Sequence, residues 1–119
     1  SRSDYAQAAA NVLISPETHL GKIYELAGDN GYNQQEYAQI VAKQSNVAIE
    51  FISLSAEDFS QALVDHGLPQ GFADVLADSD LHARDGWLFD DSNQLSKLIG
   101  RDTTPIVKSI KEALDALPQ

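Results

Sequence analysis

The sequence predicts an α/β fold built on one parallel βαβ unit over residues 22–54. Two short runs, 22–27 and 47–54, are rich in β-favouring residues, and the second is apolar on both alternating sets except at two positions. Such runs are typical of strands covered on both faces. Between them, apolar residues recur at helical spacing, and Asn33 with Glu36 forms a capping-box pattern. A helix between two strands indicates a parallel unit with a right-handed crossover.

Helices are predicted around this unit. Ser3 is the expected N-cap of a first helix that has an alanine-rich apolar face and ends at Pro16. Residues 55–119 show several amphipathic segments, with a helix stop at His66-Gly67 and a helix start at Thr104-Pro105. The chain is therefore interpreted as one domain, with the βαβ unit over 22–54 followed by a helical part.

The composition excludes several classes of function. The 119 residues carry 8 Lys and Arg against 18 Asp and Glu, a net charge of −10, with no cysteine and no methionine. An acidic surface repels phosphate backbones and anionic lipid, so we expect neither nucleic-acid nor membrane binding. The lack of cysteine removes thiol chemistry and fits a reducing, cytoplasmic compartment. The lack of methionine indicates either a processed start or a cut inside a longer protein.

Two polar stretches have the composition of a ligand site but lack the required spacing. Asp78, Asp80 and His82 suggest a divalent ion, yet the glycine and glutamate of a calcium loop are missing, so we predict a polar loop and no metal. Residues 28–31 contain two glycines but not the third glycine or the later acidic residue of a dinucleotide loop, so a plain turn is expected.

The only tryptophan lies beside two other large apolar residues. Trp87, Leu88 and Phe89 follow the polar stretch directly after a glycine. They are either core anchors or the wall of a ligand pocket, since such pockets are mostly apolar and aromatic. The residues themselves leave both interpretations open.

Motifs along the chain resemble a known protein family. The most specific is Leu95 to Pro105, supported by Gly67 to Asp80 and Gly86 to Ser92, and more weakly by Ser1 to Ala6 and Gly21 to Asp29. In this order, and over essentially all 119 residues, they resemble the C-terminal portion of bacterial NAD(P)H:quinone oxidoreductases. These enzymes are NmrA-like, atypical short-chain dehydrogenase/reductases.

The resemblance implies that residues 1–119 form the helix-rich, substrate-binding C-terminal lobe of a Rossmann-type reductase whose N-terminal half is absent. That half would be the partner of this lobe. The parent would transfer hydride from NADH or NADPH to a small quinone, with its catalytic and cofactor-binding residues upstream, so no cofactor is expected to bind this chain alone. His82 either polarises a quinone oxygen or is a loop histidine, and both interpretations stay open. The candidate substrate-binding residues, chosen by aromatic content and family position, are Phe72, Leu76, His82, Trp87, Leu88 and Phe89.

Two other functions stay open at this point. NmrA-like relatives include regulators that bind a dinucleotide as a redox signal without turnover. A stand-alone, non-catalytic binding module is the third interpretation. The alanine-rich first helix argues against an independent module, because its small side chains indicate close packing against another element.

The resemblance implies an exposed apolar face where the Rossmann half would pack. We expect the isolated chain to bind an apolar fluorescent dye and to self-associate through that face, because unpaired apolar surface favours association. Dye titration and sedimentation velocity check this expectation. A strictly monomeric chain without dye binding would contradict it.

Overall fold

A computed structural model describes residues 1–118, which contain six α-helices and one short 3₁₀ helix at Pro16–Thr18. The α-helices are α1 (Arg2–Ile14), α2 (Gln34–Ser45), α3 (Ala56–Asp65), α4 (Gln70–Arg84), α5 (Gln94–Ile99) and α6 (Ile106–Asp115). Residues 1–51 and the chain from residue 90 onward form a first compact unit, and Ile52–Phe89 form a second. No helix in the described part of the chain is long and apolar enough to cross a membrane.

The core of the first unit lies between α1 and α5. Ala8, Leu95 and Ile99 are buried there, and Leu26 and Leu98 pack against them half-buried. The small side chain of Ala8 lets the two helices approach closely. This contact explains the alanine-rich face predicted for the first helix, because part of that face packs on a helix of the same chain.

Polar side chains of α1 also bind the end of α5. Asn11 Nδ2 donates to the carbonyl oxygen of Leu98 at 2.7 Å, and Gln7 Nε2 donates to that of Ile99 at 3.4 Å. The last carbonyls of a helix have no partner within it. Two side chains of α1 therefore supply hydrogen bonds that α5 cannot make for itself.

The carboxylate of Asp4 connects the start of α1 to residues 101–104. Its side chain is fully buried and accepts hydrogen bonds from Arg101 Nη2 at 2.7 Å, Thr104 N at 2.9 Å and Thr104 Oγ1 at 3.0 Å. Ser1 caps α1 in a capping box with Asp4, so the predicted N-cap, Ser3, lies inside the helix. Ser3 was predicted because a carboxylate at the first helical position suits the helix dipole, but Ser1 lies three residues before Asp4, which is the spacing of a capping box.

Hydrogen bonding keeps the Asp4 carboxylate ionised. Burial by itself would raise the pKa of Asp4, but the hydrogen bonds from Thr104, Arg101 and Ser1 outweigh it and hold that pKa well below its usual value. A buried charge is tolerated when it is paired and hydrogen-bonded, as it is here.

The second unit is a helical hairpin of α3 and α4. Ala73 and Ala77 are buried on α4 and let it approach α3. Ser60 Oγ on α3 donates to Asp74 Oδ1 at 2.6 Å, and Gln70 Nε2 donates to the same oxygen at 2.8 Å. These bonds lower the pKa of Asp74, Ser60 having the largest effect. The predicted stop of α3 is confirmed, with His66 as C-cap and Gly67 at a φ of 95°.

The two predicted parallel strands are not formed. Residues 22–27 and 47–54 belong to no helix or strand, and no strand occurs anywhere in residues 1–118. The helix between them, α2, is confirmed together with its Asn33–Glu36 capping box. An extended segment becomes a strand only when a neighbouring strand satisfies its backbone groups. The βαβ unit over residues 22–54 is therefore corrected to two irregular segments flanking a helix.

The segments 22–27 and 47–54 have different surroundings. In the first, the carbonyl oxygen of Leu26 accepts from Tyr5 Oη at 3.0 Å, and the Glu25 N–H donates to Gln94 Oε1 at 3.2 Å. In the second, Val47, Ile49, Phe51 and Ile52 are all exposed. Side chains bind these two backbone groups of the first segment, whereas the second segment has exposed apolar side chains.

Replacing Asp4 should destabilise the first unit. We expect Asp4→Asn to lower the free energy of unfolding by about 3 kcal/mol, because buried donors lose a charged acceptor. Urea unfolding measures this. The matched control is Asp115→Asn, which removes the same charge from an exposed pair with Lys111 at 2.9 Å and should cost less than about 1 kcal/mol. Equal losses in the two variants would contradict the prediction.

Asp4 should also make the free energy of unfolding depend on pH. The folded pKa of Asp4 lies below its unfolded value of about 3.9, so its contribution is complete above that value and is lost as the pH falls below it toward the folded pKa. Urea unfolding at a series of pH values should show a shallower acid loss for Asp4→Asn than for the unmodified chain. Identical slopes would show that Asp4 does not contribute in this way.

Candidate functional site

The six predicted substrate-binding residues all lie in the second unit. Phe72 and Leu76 are on α4, His82 is in its last turn, and Trp87, Leu88 and Phe89 follow it. Phe72 and the three residues of the 87–89 segment are exposed, while Leu76 and His82 are half-buried. Trp87, Leu88 and Phe89 are therefore not core anchors of this unit. Their role in binding substrate stays a prediction.

The end of α4 determines where Trp87 lies. Gly86 has a φ of 88°, a left-handed conformation that glycine adopts without strain. The Gly86 N–H donates to the carbonyl of Ala83 at 3.1 Å, and the Trp87 N–H donates to that of His82 at 3.1 Å. This is the Schellman arrangement of a helix C-terminus, in which the residue after the glycine contacts the last helical turn. The Arg84-Asp85-Gly86 sequence thus fixes the position of the tryptophan.

The indole of Trp87 stacks on the imidazole of His82. The ring centroids are 4.1 Å apart and the planes differ by 20°. Asp78, one turn earlier on α4, places Oδ1 3.6 Å from His82 Nε2. Within residues 1–118, His82 Nδ1 is buried without a hydrogen-bond partner. The imidazole is therefore held between a carboxylate at its edge and the indole at its face.

The predicted polar loop at residues 78–82 is instead helical. Asp78 pairs with His82, and Asp80 lies 3.5 Å from Arg84 Nη2, each at the i,i+4 spacing that stabilises a helix. Arg84 Nη2 also donates to the carbonyl of Leu54 at 3.1 Å. The alternating polar residues suggested a loop. Each ion pair instead joins residues one helical turn apart, which stabilises a helix. In the described part of the chain, no group of three or more His, Asp and Glu side chains is placed to hold a metal.

The six residues line a surface rather than a closed pocket. His82 and Trp87 are in contact, but Phe72 lies ten residues before His82, which is about 15 Å along a helix axis. Phe72 and Leu76 are one turn apart and share a face of α4. An apolar ligand could therefore meet the helix face or the aromatic pair separately.

A polar groove in the first unit was not predicted from the sequence. Its volume is about 400 Å³, and it is lined by Asp29, Asn30, Asn93, Ser96, Asp102, Thr103 and Pro105. Asp29 Oδ2 accepts from Thr103 N at 2.7 Å and Thr103 Oγ1 at 2.9 Å, and the backbone bond is the main cause that lowers the pKa of Asp29. The only sequence signal was the turn at residues 28–31, since the other lining residues come from distant segments.

The hydrogen bonds in this groove join the turn at residues 28–31 to the segment around Thr103. Asp29 N donates to Thr103 Oγ1 at 2.8 Å, so the two residues bind each other in both directions. An ionised carboxylate at this turn disfavours a phosphate group. Asp29 Oδ1 is buried without a partner among the described residues and could accept one further hydrogen bond.

Comparison with known proteins gives one consistent result. No protein-family model matches the chain. Quinone oxidoreductase 2 of Escherichia coli K12 is 51% identical over 110 residues, which are 92% of this chain and 38% of that protein. The crystal structure of the NADPH-dependent quinone oxidoreductase 2 of E. coli matches with a TM-score of 0.88 and 49% identity, over 96% of this chain and 41% of the enzyme.

A second crystal structure, of the same E. coli enzyme complexed with NADPH, matches with a TM-score of 0.89 and 48% identity, over 96% of this chain and 40% of the enzyme. The chain thus spans about two fifths of the length of the relatives that it matches. A C-terminal portion fits these matches. The resemblance to the C-terminal portion of a bacterial NAD(P)H:quinone oxidoreductase is therefore confirmed.

Proposed function

We propose that this chain is the substrate-binding part of an NAD(P)H-dependent quinone oxidoreductase. The observation that carries the proposal is the 51% identity to quinone oxidoreductase 2 over 92% of the chain, supported by the match to the NADPH-dependent enzyme at a TM-score of 0.88. These relatives favour quinone reduction over a redox-sensing regulator or a stand-alone module. A cytoplasmic location, expected from the lack of cysteine, is part of the same proposal.

The chain alone does not fit the dinucleotide. It has no glycine-rich phosphate loop, and the one turn with two glycines, residues 28–31, contains the ionised Asp29. A net charge of −10 also disfavours a pyrophosphate. NAD(P)H, which would supply the hydride, is therefore assigned to the remainder of a longer protein. This chain would supply apolar and aromatic surface for the quinone.

The exposed apolar segment 47–54 supports the N-terminal Rossmann half as a partner of this chain. Val47 and Ile52 are 57% and 65% exposed, although both belong to an apolar run. The relatives are more than twice as long as this chain. The N-terminal Rossmann half of the same protein would contribute strands that pair with residues 22–27 and 47–54, which would then become the strands that the sequence predicts. Self-association through this face would be the behaviour of the chain without its partner.

Turnover tests the function directly. A longer protein containing this chain and a Rossmann half should oxidise NADPH when 1,4-naphthoquinone is added, followed as the loss of NADPH absorbance, with one hydroquinone formed per NADPH. The 119-residue chain is the control and should show no turnover. NADPH binding by the longer protein without quinone reduction would contradict the proposal and favour the regulator.

Hydrogen exchange tests the partner separately. Amides of residues 47–54 should exchange roughly tenfold or more slowly in the longer protein than in the chain alone, because strand pairing protects them. Amides of α4 should be protected in both and serve as the internal control. Equally fast exchange of 47–54 in both proteins would show that the segment is not paired.

A further inference from the structure

Trp87 combines high exposure with a fixed position. The indole is 73% exposed, although burying such a ring is normally favourable. Its backbone is fixed by the turn at Gly86 and by the hydrogen bond to the carbonyl of His82. An exposed aromatic ring that is already ordered loses little conformational entropy when a ligand covers it. This is the property of a recognition surface rather than of a mobile loop residue.

Within residues 1–118, an aromatic neighbour occupies one face of the indole. The imidazole of His82 lies against it at 4.1 Å and is nearly parallel. Asp78 Oδ1 lies 3.6 Å from Nε2 of that imidazole. With most of the indole surface exposed, the face opposite His82 is open in this chain. The His82–Trp87 pair is thus a flat platform with one free side.

We propose that the free face of Trp87 stacks against the ring of a small, uncharged quinone, with His82 as the positioning residue. The proposal rests on the proposed function and specifies its substrate class. A quinone ring is electron-poor, because two carbonyl groups withdraw electrons from it, and the face of an indole is electron-rich. Offset stacking of the two rings is therefore favoured electrostatically as well as by apolar contact.

The surrounding charges select against anionic quinones. Asp78, Asp80 and Asp85 lie on the same turns as the platform, and Arg84 pairs with only one of them, Asp80. A sulfonated quinone would approach this surface against net negative charge. A neutral naphthoquinone presents the same ring without that repulsion. The platform therefore predicts a preference for the neutral compound.

Fluorescence tests the platform in this chain, because Trp87 is its only tryptophan. Neutral 1,4-naphthoquinone should quench the emission to a plateau, after correction for quinone absorbance with N-acetyltryptophanamide. His82→Ala should raise the quinone concentration at half-quenching by about fivefold and lower the emission anisotropy, because the stack that orders the indole is lost. His66→Ala, which removes an exposed histidine in the same unit, should change neither value.

Steady-state kinetics on the longer protein separate binding from folding. Trp87→Ala should raise the KM for the neutral quinone by about tenfold with kcat within twofold, whereas Trp87→Phe, which keeps an aromatic face, should restore KM to within threefold. A tryptophan that only completes the helix end would lower stability in both variants without this division between KM and kcat.

Three results would overturn the platform. Quenching that rises linearly and matches that of free N-acetyltryptophanamide would show collision rather than binding. An unchanged KM in Trp87→Ala, with quinone turnover intact, would remove the platform and leave the proposed function standing. Trp87 emission in the longer protein that neutral quinone cannot quench would show that another part of the protein covers the indole.

Discussion

The buried carboxylate of Asp4 is the constraint on which the first unit depends. It lies at the start of α1 and accepts hydrogen bonds from Arg101 and from the backbone N–H and the hydroxyl of Thr104. A buried charge of this kind is tolerated only while every partner is in place. The start of α1 and the link between α5 and α6 are therefore fixed together, and neither can shift without exposing an unpaired group.

The same link fixes the extended chain after α1. Thr103, next to Thr104, binds Asp29 through its backbone and its hydroxyl. Tyr5, one residue after Asp4, donates to Leu26. One cluster thus positions residues 22–29 by side-chain contacts without any strand pairing. The open backbone edges of these residues are what a neighbouring strand would require.

The sequence was sufficient to predict helix starts and stops, because residues a few positions apart determine them. The capping box of α2 and the stop of α3 at Gly67 follow from spacings of a few residues, and both are confirmed. Strand pairing depends on a distant partner, so the apolar runs could predict extended chain but not a ladder within residues 1–118. Residues 78–82 were misread because ion pairs one turn apart favour a helix in a polar segment.

The candidate site was predictable in composition but not in arrangement. Aromatic content singled out Trp87. The stacking on His82 could not be predicted, because it requires the helix to continue through the polar segment to Arg84. The groove around Asp29 brings together segments more than 70 residues apart, and no short-range pattern reports such a contact.

The bonds of Asp4 also determine the order in which the two units can form. Its partners lie 97 and 100 residues further along the chain, whereas the Ser60–Asp74 bond of the second unit spans only 14. Contacts between distant residues form slowly, since a long loop must close first. On a ribosome, the α3–α4 hairpin can therefore assemble before Arg101 and Thr104, the partners of Asp4, have been synthesised.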